Sequence, residues 1–241
     1  MTIQHAQLEV LPAATWADRM AEALAGRFRS DPGLRVCLPT GSTPLPVYVR
    51  LPDVLKAGGI SVERASVVLL DEYLGLPTGH PARCEVQLRR SLIDRLDPAP
   101  AGLVTFDVDG DDPDAACHAF DAELDVLGGL DLVLLGLGMN GHIGMNEPGT
   151  SLAAPTRVIG LAASTIEAAR RYGADPPPTR GVTLGMARIL AASEIWLLAT
   201  GERKAAILTT ALEGPVTPDV PASLLRGHPR LRVIADDAAA R

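Results

Sequence analysis

Short, nearly unbroken apolar runs recur along the chain. Between them lie longer stretches whose apolar residues return every three or four positions. The runs predict strands at Leu34–Leu38, Ser66–Leu70, Leu103–Phe106, Asp131–Leu135, Arg157–Leu161, Glu194–Ala199 and Leu231–Ala235. The stretches predict helices at Trp16–Phe28, Leu45–Lys56, Cys84–Leu96, Asp114–Leu127, Thr165–Tyr172 and Arg203–Leu212. Alternation of this kind points to parallel strands joined by crossover helices. A run that is apolar at every position, such as Val67-Val-Leu-Leu70, suits a strand buried on both faces. The expected fold is α/β: a doubly wound, mostly parallel sheet with helices on both faces, a Rossmann-like three-layer sandwich. No internal repeat, low-complexity tract or long linker interrupts the pattern, so residues 1–241 are expected to form a single domain. Ala174-Asp-Pro-Pro-Pro-Thr179 reads as an irregular loop within it.

In open parallel sheets, ligands bind beyond the carboxyl ends of the strands. Three polar clusters fall at such ends: Pro39–Pro44, Asp71-Glu-Tyr73 and the stretch from Gly136 to Ser151. The last is the densest in chemistry. It follows the apolar run Leu132–Leu135 and delivers an amide, an imidazole and a carboxylate (Asn140, His142, Glu147) among glycines. Glycine lets backbone turn tightly and approach a ligand. His142 can move protons near neutral pH, and Glu147 is near enough in sequence to orient it. Gly136, Gly138 and Gly141 also fit G-x-G-x-x-G. A dinucleotide site would need that motif on the first βα turn, opening a helix, with an acid about 20 residues on. Here it lies past mid-chain, Asn146-Glu-Pro-Gly149 is turn chemistry, and no acid lies between Pro148 and Thr165, so a nucleotide site is not expected.

Thr40-Gly-Ser-Thr43 precedes a helix expected to start near Pro44. The hydroxyls suit either a helix cap or an anion site at a helix N-terminus, and both readings stay open for that segment alone. Asp71 and Glu72 end a strongly apolar strand. A strand-ending turn or a helix cap needs only one acid there, so a general base tuned by partial burial is the preferred reading. Arg170-Arg171 and Lys204 stand at the ends of helical or strand segments, where they serve either as solvated charge or as a phosphate clamp. His5, His80, His118 and His228 lack such company and default to structure or surface. No second His or Cys stands at ligand spacing from His142, so no metal and no cofactor is expected.

Composition narrows the class further. Net charge is −7 and no Lys/Arg cluster with interleaved aromatics is present, which argues against a nucleic-acid partner. Apolar runs are too short for a membrane helix, and Met1–Ala6 lacks a basic start followed by an apolar core, so no membrane partner and no secretory leader are expected. Cys37, Cys84 and Cys117 are odd in number and scattered, as expected of reduced, partly buried thiols in a cytoplasmic protein.

Several segments, taken in order, resemble the glucosamine-6-phosphate deaminase/isomerase family, within the 6-phosphogluconolactonase superfamily. They are Leu38-Pro-Thr-Gly-Ser-Thr-Pro44, Leu70-Asp-Glu-Tyr-Leu-Gly-Leu76 with His80-Pro81, and Gly138-Met-Asn-Gly-His-Ile-Gly-Met-Asn-Glu-Pro-Gly149. Thr200-Gly-Glu-Arg-Lys-Ala205, Leu212-Glu-Gly-Pro-Val216 and Pro221-Ala-Ser-Leu-Leu225 follow. Lactonases look more like G-H-T-A-S-L-F-P at the central motif. The resemblance implies a metal-free conversion of glucosamine 6-phosphate and water to fructose 6-phosphate and ammonia. It implies Asp71 as the base at C2 and C1, His142 as the ring-opening group, Glu147 as its orienting carboxylate, and Asn140 as an amide orienting the imidazole where some members carry Asp. It also implies a phosphate pocket from Thr40, Gly41, Ser42 and Thr43 with Arg171 and Lys204. Ile159 stands where allosterically activated hexameric members carry a basic residue, and the chain ends at Arg241, so a monomer or small homo-oligomer without such activation is expected. Arg180-Gly-Val-Thr-Leu-Gly185 resembles galactosamine-type deaminases, which leaves the C4 epimer open. A 6-phosphogluconolactonase and a non-catalytic sugar-phosphate sensor are the runner-up readings.

Overall fold

The computed structural model describes residues 7–241. His5 and the Met1–Ala6 segment lie outside them. Elements are numbered in chain order. The strands are β1 (Gln7–Leu11), β2 (Arg35–Leu38), β3 (Ser66–Leu69), β4 (Asp71–Tyr73), β5 (Gly102–Val104), β6 (Leu132–Gly136), β7 (Arg157–Gly160), β8 (Arg180–Thr183), β9 (Glu194–Ala199) and β10 (Leu231–Asp236). The α-helices are α1 (Trp16–Ser30), α2 (Leu45–Ala57), α3 (Cys84–Ser91), α4 (Pro113–Leu127), α5 (Ala163–Arg171), α6 (Met186–Leu190) and α7 (Ala205–Glu213).

Seven strands form one parallel sheet in the order β1-β10-β9-β6-β2-β3-β5. Successive side chains along a strand point to opposite faces, and the core divides accordingly. Val36, Leu38, Leu132, Leu134, Trp196 and Leu198 pack with α1, α2 and α3 on one face. Cys37, Val133, Leu135, Ile195, Leu197 and Val233 pack with α4, α6 and α7 on the other. Both faces are thus covered, which is why these strands read as continuous apolar runs. Among the described residues no helix is long and apolar enough to cross a membrane.

Some expected elements differ. Arg157–Leu161 does not join the parallel sheet: β7 pairs antiparallel with β8, and β8 with β4, in a separate three-stranded sheet. No helix lies between β6 and β7 to carry a parallel crossover. The expected Cys84–Leu96 helix ends at Ser91 and resumes as a 3-10 turn over Ile93–Arg95. The expected Arg203–Leu212 helix opens as a 3-10 turn over Glu202–Lys204. β1, β4, β8, α6 and the 3-10 segment Pro221–Gly227 are additional.

The sheet reverses its winding between β2 and β6. From β2 the chain moves outward to β3 and β5, then returns beside β2 as β6 and moves outward to β9 and β10. A crevice is expected at such a switch point, and the pairing explains how it opens. β6 and β9 stay in register over five residue pairs, whereas β2 and β6 pair only at Val36–Leu132 and Cys37–Val133. Arg35 clamps the amino ends of the same two strands, with Nη2 2.6 Å and Nε 2.8 Å from the Asp131 carboxylate. The two strands are therefore tied at one end and part at the other.

Candidate active site

Four loops leave the carboxyl ends of four adjacent strands, β3, β2, β6 and β9, and line a single cleft of about 870 Å³. That volume is in the range of small-molecule sites. Thr40, Gly41, Ser42 and Thr43 come from the loop after β2, Asp71 from the first position of β4 just past the end of β3, His142 from the loop after β6, Lys204 from the loop after β9, and Arg171 from the end of α5. Glu147 and Asn140 stand behind His142 rather than on the cleft wall.

The loop after β6 is folded around its histidine. Gly138 N–H donates to the His142 carbonyl at 2.9 Å. A Cβ on Gly138 would lie 2.3 Å from His142 Cδ2, so only glycine leaves room for the imidazole there. Asn140 Oδ1 accepts from the His142 backbone N–H at 3.1 Å, and Asn140 Nδ2 donates to Glu147 Oε2 at 2.9 Å. The amide thus bridges the loop backbone and the carboxylate; among the described residues no hydrogen bond joins it to the imidazole, so its effect on the ring runs through Glu147 and the loop rather than by the direct bond the resemblance implied. His142 Nδ1 lies 3.2 Å from Glu147 Oε2. That nitrogen is buried and its N–H direction misses the oxygen, so the contact is one of proximity and charge rather than a straight hydrogen bond.

Glu147 is held ionised. Burial pushes its pKa up, but the His142 ring, the Thr165 hydroxyl and the Asn140 amide outweigh burial and bring it down to about 2. Thr165 Oγ1 donates to Glu147 Oε1 at 2.6 Å and Ala162 N–H donates to the same oxygen at 3.3 Å. α5 has no capping side chain of its own. Glu147 therefore caps it from outside, at the positive end of the helix dipole.

Asp71 is the opposite case. It is 7% exposed, and burial lifts its pKa from 3.8 to about 6, with the nearby His142 and the Cys84 thiol pulling against that rise. A carboxylate poised in that range suits a general base. Its neighbour Glu72 does different work. Glu72 accepts backbone N–H bonds from Tyr73 (2.7 Å), Cys84 (2.8 Å) and Glu85 (2.9 Å), so it caps α3, which also lacks a capping side chain. The two adjacent acids are thus divided between the cleft and the scaffold.

At the other end of the cleft, the capping role considered for Ser42 and Thr43 does not hold: α2 starts after Pro44 with no side-chain cap. Nor does α2 offer its first amides to a ligand, because Leu45 N–H bonds Gly41 O, Val47 N–H bonds Pro44 O, and Pro46 has none. Among the described residues the amides of Gly41, Ser42 and Thr43 donate to no protein acceptor. The loop itself, turned at Gly41 with φ 107°, therefore presents free amides to the cleft. Among the described residues neither Arg171 nor Lys204 pairs with an acid. Arg203 adds a third cation to the lining, and Glu167 and Glu202 are also there. Burial, then the charge of Arg203, lower the pKa of Lys204.

With this geometry in view, comparison with known proteins gives one answer. The family model of glucosamine-6-phosphate isomerases and 6-phosphogluconolactonases matches residues 9–233. The chain belongs to this family. Within it, a glucosamine-6-phosphate deaminase of Streptomyces avermitilis is 42% identical over 234 residues, covering 95% of this chain and 88% of the relative. One from Mycolicibacterium smegmatis is 40% identical over 224 residues, covering 92% and 86%. A solved monomeric glucosamine-6-phosphate deaminase superposes with a TM-score of 0.90 at 31% identity, covering 97% of this chain and 98% of that one. A 6-phosphogluconolactonase of Thermotoga maritima superposes with a TM-score of 0.77 at 19% identity, which speaks for the shared fold alone.

Sequence reasoning about this family member missed Thr165, Cys84 and Arg203 as parts of the site, and it grouped Glu72 with Asp71 as a candidate base where Glu72 instead accepts backbone N–H bonds at the start of α3. The thiols are all free and buried rather than partly so, and Cys84 lines the cleft beside Asp71. Thr165 yields a direct expectation. Removing a hydrogen bond to a buried carboxylate costs about 1.5–3 kcal/mol. Thr165→Val should lower kcat about tenfold or more while KM changes little, and steady-state kinetics with Thr165→Ser as the rescuing variant checks it. An unchanged kcat in the valine variant would show that Glu147 does not depend on this hydroxyl.

Proposed function

We propose that this chain is an aminosugar-6-phosphate deaminase that takes glucosamine 6-phosphate and water to fructose 6-phosphate and ammonia, working as one domain. The observation that carries the reading is the convergence, in one cleft, of a raised carboxyl (Asp71), an imidazole backed by an ionised carboxylate (His142 with Glu147), and unpaired cations at the far end (Arg171, Lys204). The phosphate is held by Thr40–Thr43, Arg171 and Lys204, far from the reacting carbons, and binding energy there orients the sugar. His142 carries the proton of the anomeric hydroxyl to the ring oxygen, giving the open-chain aldehyde. Glu147, fixed by Asn140 and Thr165, sets the imidazole's orientation for the transfer. Asp71 takes the proton from C2 to form an enolamine and returns it to C1. The resulting imine adds water at C2 and releases ammonia, leaving the ketone.

The compartment is the cytoplasm, and the assembly is a monomer or a small homo-oligomer without an aminosugar-phosphate activator, in line with the fold shared with a monomeric deaminase and with Ile159 in β7.

A coupled ammonia assay across glucosamine, galactosamine and gluconolactone 6-phosphates tests the reading. Turnover of the first is expected; galactosamine 6-phosphate alone would revise the epimer, and lactone hydrolysis alone would replace the reaction. The acid limb of kcat/KM should fall near pH 6, where Asp71 takes up its proton. Activity falling below that limb and holding above it is the sign that Asp71 works ionised. A limb near pH 4 would mean that some other group is the base.

A further inference from the structure

We propose that Asp236, in the last strand, is a positioning residue for the phosphate grip, acting through the loop that carries Lys204. This inference rests on the reading of Lys204 as a phosphate ligand.

Asp236 ends β10 and is only 6% exposed. Its strand runs parallel to β9 with Ala235 opposite Ala199, which sets the Asp236 carboxylate beside the first residues after β9. Gly201 N–H reaches both of its oxygens, at 3.0 and 2.9 Å. Gly201 in turn accepts from Lys204 N–H at 2.9 Å through its carbonyl. Gly201 is therefore pinned on both sides, by a charge-assisted bond from below and by the Lys204 backbone from above. Gly201 has φ 85°, a backbone conformation that glycine adopts without steric cost. The same loop is tied toward the phosphate-binding residues by Thr200 Oγ1, 3.4 Å from Thr43 Oγ1.

The carboxylate is itself held in place. Ala239 N–H donates to Asp236 Oδ1 at 2.7 Å and Ala240 N–H to its carbonyl at 3.1 Å. Among the described residues all hydrogen-bond partners of this carboxylate are backbone N–H groups. Such an acid costs free energy to bury, and a plain strand end does not require one. Its arrangement is explained if the return is a pre-formed position for Lys204, whose ammonium is then presented to the cleft without loop ordering at each binding event.

The test compares wild type, Asp236→Ala, Asp236→Asn, Lys204→Ala and the Asp236→Ala/Lys204→Ala double variant. Inorganic phosphate binding is measured by calorimetry and glucosamine 6-phosphate turnover by steady-state kinetics. Asp236→Ala should weaken phosphate binding and raise KM by about tenfold with a smaller fall in kcat, and Asp236→Asn should lie between it and wild type. On the Lys204→Ala background, adding Asp236→Ala should change phosphate affinity less than about twofold, because the loop no longer carries the ammonium. An equal loss on both backgrounds, or a lower melting temperature with phosphate affinity intact, would overturn the proposal. Should the alanine variant not fold, Asp236→Asn makes the same comparison on both backgrounds. Phosphate binding unaffected by Lys204→Ala would instead sink the phosphate reading itself, separately from the role of Asp236.

Discussion

Asp71→Asn should abolish turnover and, at neutral pH, make the protein harder to melt. The first half follows from chemistry. An amide of the same shape cannot take a proton from C2, and a positioned general base contributes between about a hundredfold and ten-thousandfold. A fall of that size in kcat, with phosphate and sugar-phosphate binding retained, is the expected kinetic signature. Retained activity would remove Asp71 from the mechanism.

The second half follows from linkage. The pKa of Asp71 is lifted from 3.8 to about 6 in the folded chain, mainly by burial. Between those values the native state holds more protons than the unfolded state, so this group's contribution to stability is full below about pH 4 and is lost as pH rises through 6. A rise of that size corresponds to about 3 kcal/mol at most. A neutral amide avoids that penalty, so the variant should melt higher at about pH 7.5, on the order of 5 °C for a chain of this size. Near pH 4, where the carboxyl is largely protonated in the folded chain, the two proteins should melt together. Thermal unfolding at the two pH values reads this directly. A variant that melts lower at neutral pH would mean that Asp71 stabilises the fold through contacts, not that it is held there against its preference. The opposite sign belongs to Glu147: its pKa of about 2 contributes stability that is lost as pH falls from the ordinary carboxylate range toward 2.

Much of this was legible along the chain because the relevant physics is local. β9 reads correctly because its consecutive apolar residues face one core or the other. Gly136–Glu147 reads as a site because strand, glycines, imidazole and carboxylate are compressed into one loop. What was hidden depends on distant contacts. Glu72 caps α3 across 12 and 13 positions, and Thr165 meets Glu147 across 18. Helices α3 and α5 carry no capping side chain of their own, so their starts carry no local signal. β4 and β8 are three and four residues long, and they exist only because each finds a partner in a small antiparallel sheet. Asp236 acts across 35 positions on Gly201. In each case a residue ordinary in its own neighbourhood acquires its role from the tertiary fold that brings distant segments together.

Removing both cations from the far end of the cleft is expected to cost nearly as much as removing the base, but in a different constant. Arg171 comes from α5 and Lys204 from the loop after β9, so the two reach one cleft from separate elements. Each charge-assisted contact to a dianion is worth about 1.5–3 kcal/mol, and each 1.4 kcal/mol is about tenfold. Arg171→Ala and Lys204→Ala should each raise KM at least about tenfold, and the double variant should lose on the order of a thousandfold in kcat/KM. Glucosamine without its phosphate discriminates the mechanism: it should be turned over slowly and equally by wild type and double variant, because neither cation has a charge to hold. Lys204→Arg keeps the charge, but not the compact ammonium that the half-buried position accommodates, so it should restore only part of the loss. Burial also lowers the pKa of Lys204, which gives the phosphate grip an alkaline limit of its own. KM should therefore rise toward alkaline pH in wild type, and Lys204→Arg should remove that rise. If both variants bind the sugar phosphate as wild type does, the unpaired cations are surface charge and the substrate's phosphate is held by the Gly41–Thr43 amides alone.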